Sequence, residues 1–482
     1  MTKGEMLCLL LFFAYIAWVP LPFASTPAAF QLPLIVPGLA ICALTAIVLA
    51  AQRARPPVPA SRAHELWTGA ALLFILVVAI QVVPLPAPLL RVISPESARI
   101  WSSAGKVVSL VRGTAVSSSH PISIDPSATT LHLLRLLVYF ATFTTAAFLI
   151  RRHAQRVAFA VLLSLCAFFQ TFYAIHEAAL NHYSIWGWRN NLIFDRATGT
   201  FVNPNHFAHY AAILLPMGAF FAGCAWHDAA PTGTPLRKRF LRLIERRLPL
   251  AAFGMAVIVA CVASILIARS RGALLAMIAG CAIGAAAATR RRIARSLLVF
   301  VAAIVIVAGV AAYLGPERTS IGRLIPSSAD IQGRRAGIEI ALAIWRRFPL
   351  LGSGLGTFID LAPTLQPREY STVFNHAHND YVEVLATTGA VGFLVLIVPL
   401  ALGLRAFLRE AFKGSDATSY RRRAFHAAVF ASIATALVHA CFDFNFFIPA
   451  NAVTLAAMAG AIVATRSESS EERDSSLDDS RA

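Results

Sequence analysis

His376, His378 and Asn379 stand together in the stretch Asn-His-Ala-His-Asn-Asp-Tyr at 375–381, between an arginine-rich polar segment and an apolar run long enough to cross a bilayer. A histidine titrates near neutral pH, so an imidazole at the mouth of a membrane helix can take a proton from a hydroxyl while guanidinium groups hold an anion beside it. Cations are at hand. Arg269 and Arg271 interrupt two apolar runs, and Arg271 opens a helix. Ionisable groups at membrane depth are costly and usually face a cavity, and a helix N-terminus combined with a guanidinium favours phosphate. Arg196, in an outer segment at 181–205, is a third cation on that side. Asn203 and Asn205 flank Pro204, which can begin a helix, so capping is the structural role open to them.

The other titratable groups are more ordinary. His206 and His209 lie one turn apart, which with His376 and His378 raises a metal site as an alternative, but no clustered carboxylate accompanies them and no metal is expected. His439 and Asp443 share one helix face at i, i+4 and are expected to form a hydrogen-bonded pair. The stretch 334–348 reads as a short amphipathic helix on the membrane surface, with Ile338, Leu342 and Trp345 on one face and Arg334, Arg335, Arg346 and Arg347 at its ends. The following Pro-Leu-Leu-Gly-Ser-Gly-Leu-Gly at 349–356 reads as a flexible turn. It lacks the strand, lysine and Ser/Thr that make a phosphate loop.

The elements that must position these residues are membrane helices. The chain is 57% hydrophobic and 14% charged, which places it in the membrane class. Apolar runs near 6–22, 32–50, 66–84, 131–150, 156–180, 206–226, 250–268, 271–288, 295–314, 380–407, 424–441 and 447–465 predict an all-α polytopic protein of about twelve spans. Arginine and lysine fill every second connection, as at Arg151, Arg152 and Arg156, at Arg237 to Arg247, and at Arg409 to Arg423. The positive-inside rule puts those loops and both termini in the cytoplasm and the segments 85–130, 181–205 and 315–379 outside. The formal net charge of +18 is thus topogenic, and no nucleic-acid partner is expected. Cys8, Cys42, Cys166, Cys224, Cys261, Cys281 and Cys441 fall in predicted spans without CxxC spacing, against disulfides and zinc. A retained first span is favoured over a cleaved signal peptide. Segment 85–130 reads as an interfacial cap without identifiable chemistry, and the Ser-, Glu- and Asp-rich tail 466–482 as disordered.

His378-Asn379 followed at ligase spacing by Gly389 and Gly392, Ser270-Arg271-Gly272-Ala273 opening a helix, Gly199 to Asn205, the glycine-rich 349–356 and His439 to Asn451 with Pro449 occur in the order of one family. Over about 190–455 the chain resembles the O-antigen ligase and polymerase family of bacterial polyprenyl-linked glycan transferases. The resemblance implies a GT-C-type glycosyltransferase of the inner membrane, with N-terminal helices over 1–180, a catalytic membrane region over 181–465 and a large periplasmic loop at 315–379 between the ninth and tenth spans. It implies a donor glycan on undecaprenyl diphosphate, a lipid A-core or glycan acceptor, membrane lipids as surroundings and no cofactor. By the same resemblance His378 is the general base and Arg196 and Arg271 bind the diphosphate, with Arg269, Arg334 and Arg335 as weaker matches. The pattern departs at Thr387, where a glutamate is common, with Glu383 one turn earlier.

Such a transfer could deliver the glycan whole to lipid A-core, as a ligase, or onto another glycan, as a polymerase. A different class, an anion or solute transporter using the same arginines, would be marked by paired broken helices or internal repeats. No convincing repeat is present.

Overall fold

The computed structural model describes residues 1–51, 61–112, 117–189, 196–231, 233–289, 328–368, 370, 373–411 and 417–463. The predicted span 295–314, the first part of the 315–379 loop and the tail 466–482 lie outside the described residues. Each other predicted span falls on a helix. These are α1 (Lys3–Trp18), α2 (Gln31–Ala51), α3 (Arg62–Val82), α6 (Pro126–Leu149), α7 (His153–Ala179), α8 (Pro204–Ala229), α9 (Leu236–Ile267), α10 (Arg271–Thr289), α13 (Asp380–Ala411), α14 (Ala417–His439) and α15 (Pro449–Val463). Among the described residues, 7 helices are long and apolar enough to cross a membrane, and α10 and α15 are shorter apolar helices. The chain is an all-α polytopic membrane protein.

Local sequence explains the helix starts. Ser61 accepts from His64 N at 3.1 Å before α3, and Asp125 accepts from Ser127 N and Ala128 N before α6, each satisfying amides that have no partner inside the helix. Pro126 and Pro204 sit at first helical positions, where a missing N–H costs nothing. One boundary differs from the sequence reading. α9 begins at Leu236 and carries the basic residues 237–247 on the helix itself rather than on a loop.

In a bilayer, helices gain little from apolar burial against one another and instead pack through small residues that allow close approach. α8 lies at the centre, and its most apolar stretch is 83% buried. A Cβ on Gly218 of α8 would meet the Gly254 carbonyl of α9 at 2.6 Å, and one on Gly280 of α10 would meet Thr435 of α14 at 2.0 Å. α13 packs on α3, and α6 packs on α15 and α2. The N-terminal helices therefore share one apolar core with the helices that follow.

At one end of the bundle lie short elements: β1 (Leu85–Pro86) paired with β2 (Ser119–His120), α4 (Ala87–Ile93), α5 (Pro95–Arg112), α11 (Ser328–Arg347) and α12 (Phe358–Leu365). A second antiparallel pair joins β3 (Ser184–Ile185) to β4 (Trp188–Arg189). The amphipathic helix predicted over 334–348 is α11, but its packed face is not the expected one. Gly337, Ile340, Ala341, Ile344 and Phe348 are buried, while Ile338, Leu342 and Trp345 are only partly covered. The reason is steric: a Cβ on Gly337 would meet the Ala377 carbonyl at 2.9 Å, so the small residue sets the face of closest approach.

The segment 349–356 is not a flexible turn. Gly352 N bonds Phe348 O, Gly354 N bonds Thr387 O, and Ile124 N bonds Ser353 O. α13 breaks at Gly389, whose φ of 67° and ψ of −176° are non-helical, and there Ala390 N and Val391 N bond the carbonyls of Pro349 and Leu350. Gln81 of α3, fully buried, donates to Leu351 O and Thr387 O and accepts from Leu355 N. Backbone groups freed by the break are thus re-satisfied by a neighbouring segment and a side chain, as membrane burial demands.

Candidate active site

The break at Gly389 leaves the first turns of α13 as a separate platform, and 376–380 leads into it. Asn379 caps the helix by accepting from Val382 N at 3.1 Å, and its amide donates to Cys441 O at 3.1 Å. Asp380 N donates to Ala440 O, and the hydroxyl of Tyr381 donates to Leu437 O at 2.7 Å. These bonds strap 379–381 to the end of α14. Glu383, 1% exposed in its side chain, accepts from Ala377 N at 2.8 Å and lies 2.7 Å from His376 Nδ1. It fixes the turn on which the two histidines sit by holding the His376 ring and the Ala377 amide.

His378 has φ of 52°, an uncommon conformation for a residue with a side chain and one found at functional sites. Its Nδ1 lies 3.2 Å from Asp443 Oδ1, and its ring stands edge-on to Phe444 at 5.2 Å. His376 stacks instead on Phe444, with ring centres 3.9 Å apart. The Asp443 carboxylate also lies 3.8 Å from His206 Nε2. Burial works against its charge, but the bond from His378 and the nearby charges of His206 and His378 outweigh burial and hold its pKa well below the ordinary carboxylate range.

Two expectations fail here. His439 and Asp443 are joined by a backbone i, i+4 bond and not through their side chains, because α14 ends at His439. The link between them is Asp443 N to His439 O, and His439 Nδ1 instead meets His209 Nδ1 at 2.8 Å, both rings buried. Nor do the histidines lack carboxylates. Glu383 and Asp443, both buried, lie beside His376 and His378, and Asp443 comes from a position that spacing does not connect. Among the described residues, no group of three or more His, Cys, Asp or Glu is arranged to hold a metal ion.

The arginines divide. Ser270 caps α10 by accepting from Ala273 N, and Arg269, with φ of 50°, makes the tight turn between α9 and α10. The start of α10 abuts this centre: a Cβ on Gly272 would meet His439 Nε2 at 2.8 Å. Arg271 is the residue before it, at the first position of α10. Arg334 reaches from α11 to the Phe442 carbonyl. Arg335 points away and pairs with Glu339 at 2.7 Å, both well exposed. Arg196 donates to Ala268 O at 2.9 Å and to Asn205 Oδ1 at 2.7 Å, and Asn203 accepts from Asn205 N as the cap of α8. Arg196, Asn203 and Asn205 thus tie the start of α8 to the Arg269 turn.

Beneath the platform runs an apolar slot of about 370 Å³, lined by α3, α6, α13, α14 and α15 through residues such as Phe74, Phe140, Phe393, Leu396 and Leu455. Its lining also includes Asp380, Tyr381 and Phe447, at the level of the histidines. Sequence reasoning missed Gln81 as part of this centre, whereas Asp380 was already in view beside His378 in the 375–381 stretch. Gln81 had a signal, a lone amide in an otherwise apolar run.

Residues 256–397 match a family model described as O-Antigen ligase. The match covers α10, α11 and the 376–380 turn, with Arg269, Arg271, Arg334 and His378, and it ends before Asp443. No curated protein matches the chain. On this match and its apolar helices, the chain is a membrane protein with an O-antigen ligase family domain at residues 256–397.

Proposed function

We propose that the protein transfers a glycan from undecaprenyl diphosphate to a hydroxyl of lipid A-core at the periplasmic face of the inner membrane, without a metal and with inversion. The observation that carries this reading is the placing of His378, backed by the Asp443 carboxylate at 3.2 Å, above an apolar slot and beside the arginine-bearing start of α10.

An Nδ1–H bonded to a carboxylate leaves Nε2 of the same ring as the base. Nε2 takes the proton of the acceptor hydroxyl as its oxygen attacks the anomeric carbon from the side opposite the diphosphate. The new glycosidic bond forms as the bond from the anomeric carbon to the phosphate oxygen breaks, and that electron pair leaves on the diphosphate. Arg271, Arg269 and Arg334 offset the growing negative charge, and Arg196 positions the Arg269 turn. The slot suits a polyprenyl or acyl chain, because nearly all of its lining is apolar and a chain held there carries its head group to the histidines. His376, stacked and bonded to Glu383, supports the turn.

A His378→Ala variant at normal abundance should lose transfer by about 10²–10⁴-fold, followed as capped lipopolysaccharide on a gel from the native host. Persistence at the wild-type level removes His378 as base. Accumulation of long lipid-linked polymer marks a ligase, and accumulation of single repeat units marks a polymerase of the same family.

A further inference from the structure

The cap at 85–130 holds a feature that the reaction centre does not use. β1 and β2 pair through Leu85 with His120, and Ser97 Oγ donates to Ile122 O at 2.7 Å, so α4, α5 and β2 form one fixed unit. Ile124 N donates to Ser353 O and Ser123 N to Gln81 O, and Ile100 packs on the α11–α12 cluster. The unit is therefore anchored to the scaffold that carries the 376–380 turn, at the same end of the bundle.

Between α4, α5 and β2 is a pocket of about 270 Å³ lined by Arg91, Trp101, Ser102, Lys106, Ser117 and His120, among others. Trp101 and His120 lie parallel, with ring centres 4.9 Å apart and planes 6° apart. The Trp101 indole N–H is bonded to Pro121 O at 3.0 Å, which locks the ring in place. The acidic residue of α5, Glu96, is taken by Arg99 at 2.7 Å, so it does not neutralise Arg91 or Lys106. A locked aromatic wall, several hydroxyls and two cations around one concavity suit a sugar ring bearing an anionic group. On the opposite side of α5, Val107, Val108, Leu110 and Val111 are exposed, Leu110 to 85%. A helix with one apolar exposed face and one polar face lies in a membrane interface, which would leave the pocket facing the head groups of that leaflet.

We propose that this pocket binds a phosphorylated or carboxylated saccharide of the glycolipid acceptor, holding its anchored end while a distal hydroxyl reaches His378. The inference rests on the transfer reading for the identity of the acceptor, but its test does not require transfer.

The probe is the phosphorylated oligosaccharide released from rough lipopolysaccharide by alkaline deacylation, titrated onto the purified full chain in detergent. The paired variant Arg91→Gln/Lys106→Gln should weaken binding about tenfold and Trp101→Ala about fivefold, from loss of charge-assisted bonds and of a stacking face. The dephosphorylated oligosaccharide should bind more weakly than the probe, and inorganic phosphate should compete poorly. Equal binding by the wild type and the paired variant overturns the proposal, as does full competition by inorganic phosphate, which would reduce the pocket to an anion patch. Should Trp101→Ala fail to fold, the paired variant alone decides. If transfer is absent but the probe binds through Arg91 and Lys106, the pocket stands and the transfer reading falls.

Discussion

α13 carries two specialised regions, the break at Gly389 and the platform at its start, and they are built on opposite terms. At the break, peptide groups lost to the helix find partners in 349–356 or in Gln81. At the platform, Asp380 Oδ1, Asp443 Oδ2, His206 Nε2, His209 Nε2 and the side-chain amide atoms of Asn445 and Asn451 are buried with no hydrogen-bond partner among the described residues. Each such group costs about 1–3 kcal/mol unless water or substrate supplies the partner. The contrast teaches a division of labour. The satisfied region is a buttress, and under the proposed transfer the under-satisfied one keeps hydrogen-bonding capacity for substrate.

The sharpest way to break this division is Gly389→Ala. With φ of 67° and a Cβ that would stand 2.2 Å from Leu350 O, any side chain must push the 349–356 segment away. A loss of about 3–5 kcal/mol is expected, read as loss of monodisperse protein in size-exclusion melts. Survival of the variant with an unchanged melting temperature would show that the buttress is not rigid.

Asp443→Asn attacks the other region and should spare the fold while lowering transfer by about 10²-fold, because an amide no longer selects the Nδ1–H tautomer of His378. The same variant has a pH signature. The Asp443 pKa is depressed in the fold, so its contribution to stability is complete above the unfolded carboxylate pKa of about 4 and is lost as pH falls through the lower folded value. Wild type should therefore lose more melting temperature than the variant between neutral pH and pH of about 3. Parallel melting curves would remove the ionic role given to Asp443.

How much of this was legible in the sequence follows from distance along the chain. Helices were legible because apolar runs report burial in lipid, and the turn at 376–380 was legible because its residue types are chemical. The pairing of His378 with Asp443 was not, since nothing local links them, and the i, i+4 rule pointed to His439 instead. The face of α11 was misread for a related reason: large apolar residues draw attention, whereas Gly337 decides the approach. The glycines of 349–356 suggested looseness, when their positive φ values serve a fixed shape.

Arg334 and Arg335 test the comparison at its finest grain, being adjacent residues on one helix. Arg334 reaches the Phe442 carbonyl, at the edge of the under-satisfied region, and Arg334→Ala should lower transfer by about 10-fold or more through lost stabilisation of the leaving diphosphate. Arg335 makes an exposed i, i+4 pair with Glu339, and such pairs contribute no more than about 0.5 kcal/mol. Arg335→Ala should therefore change transfer by less than about twofold, measured beside Arg334→Ala at matched protein abundance. Equal losses in the two variants would mean that α11 contributes a general positive field rather than one placed guanidinium, and the boundary of the reaction centre would then extend to the outer face of that helix.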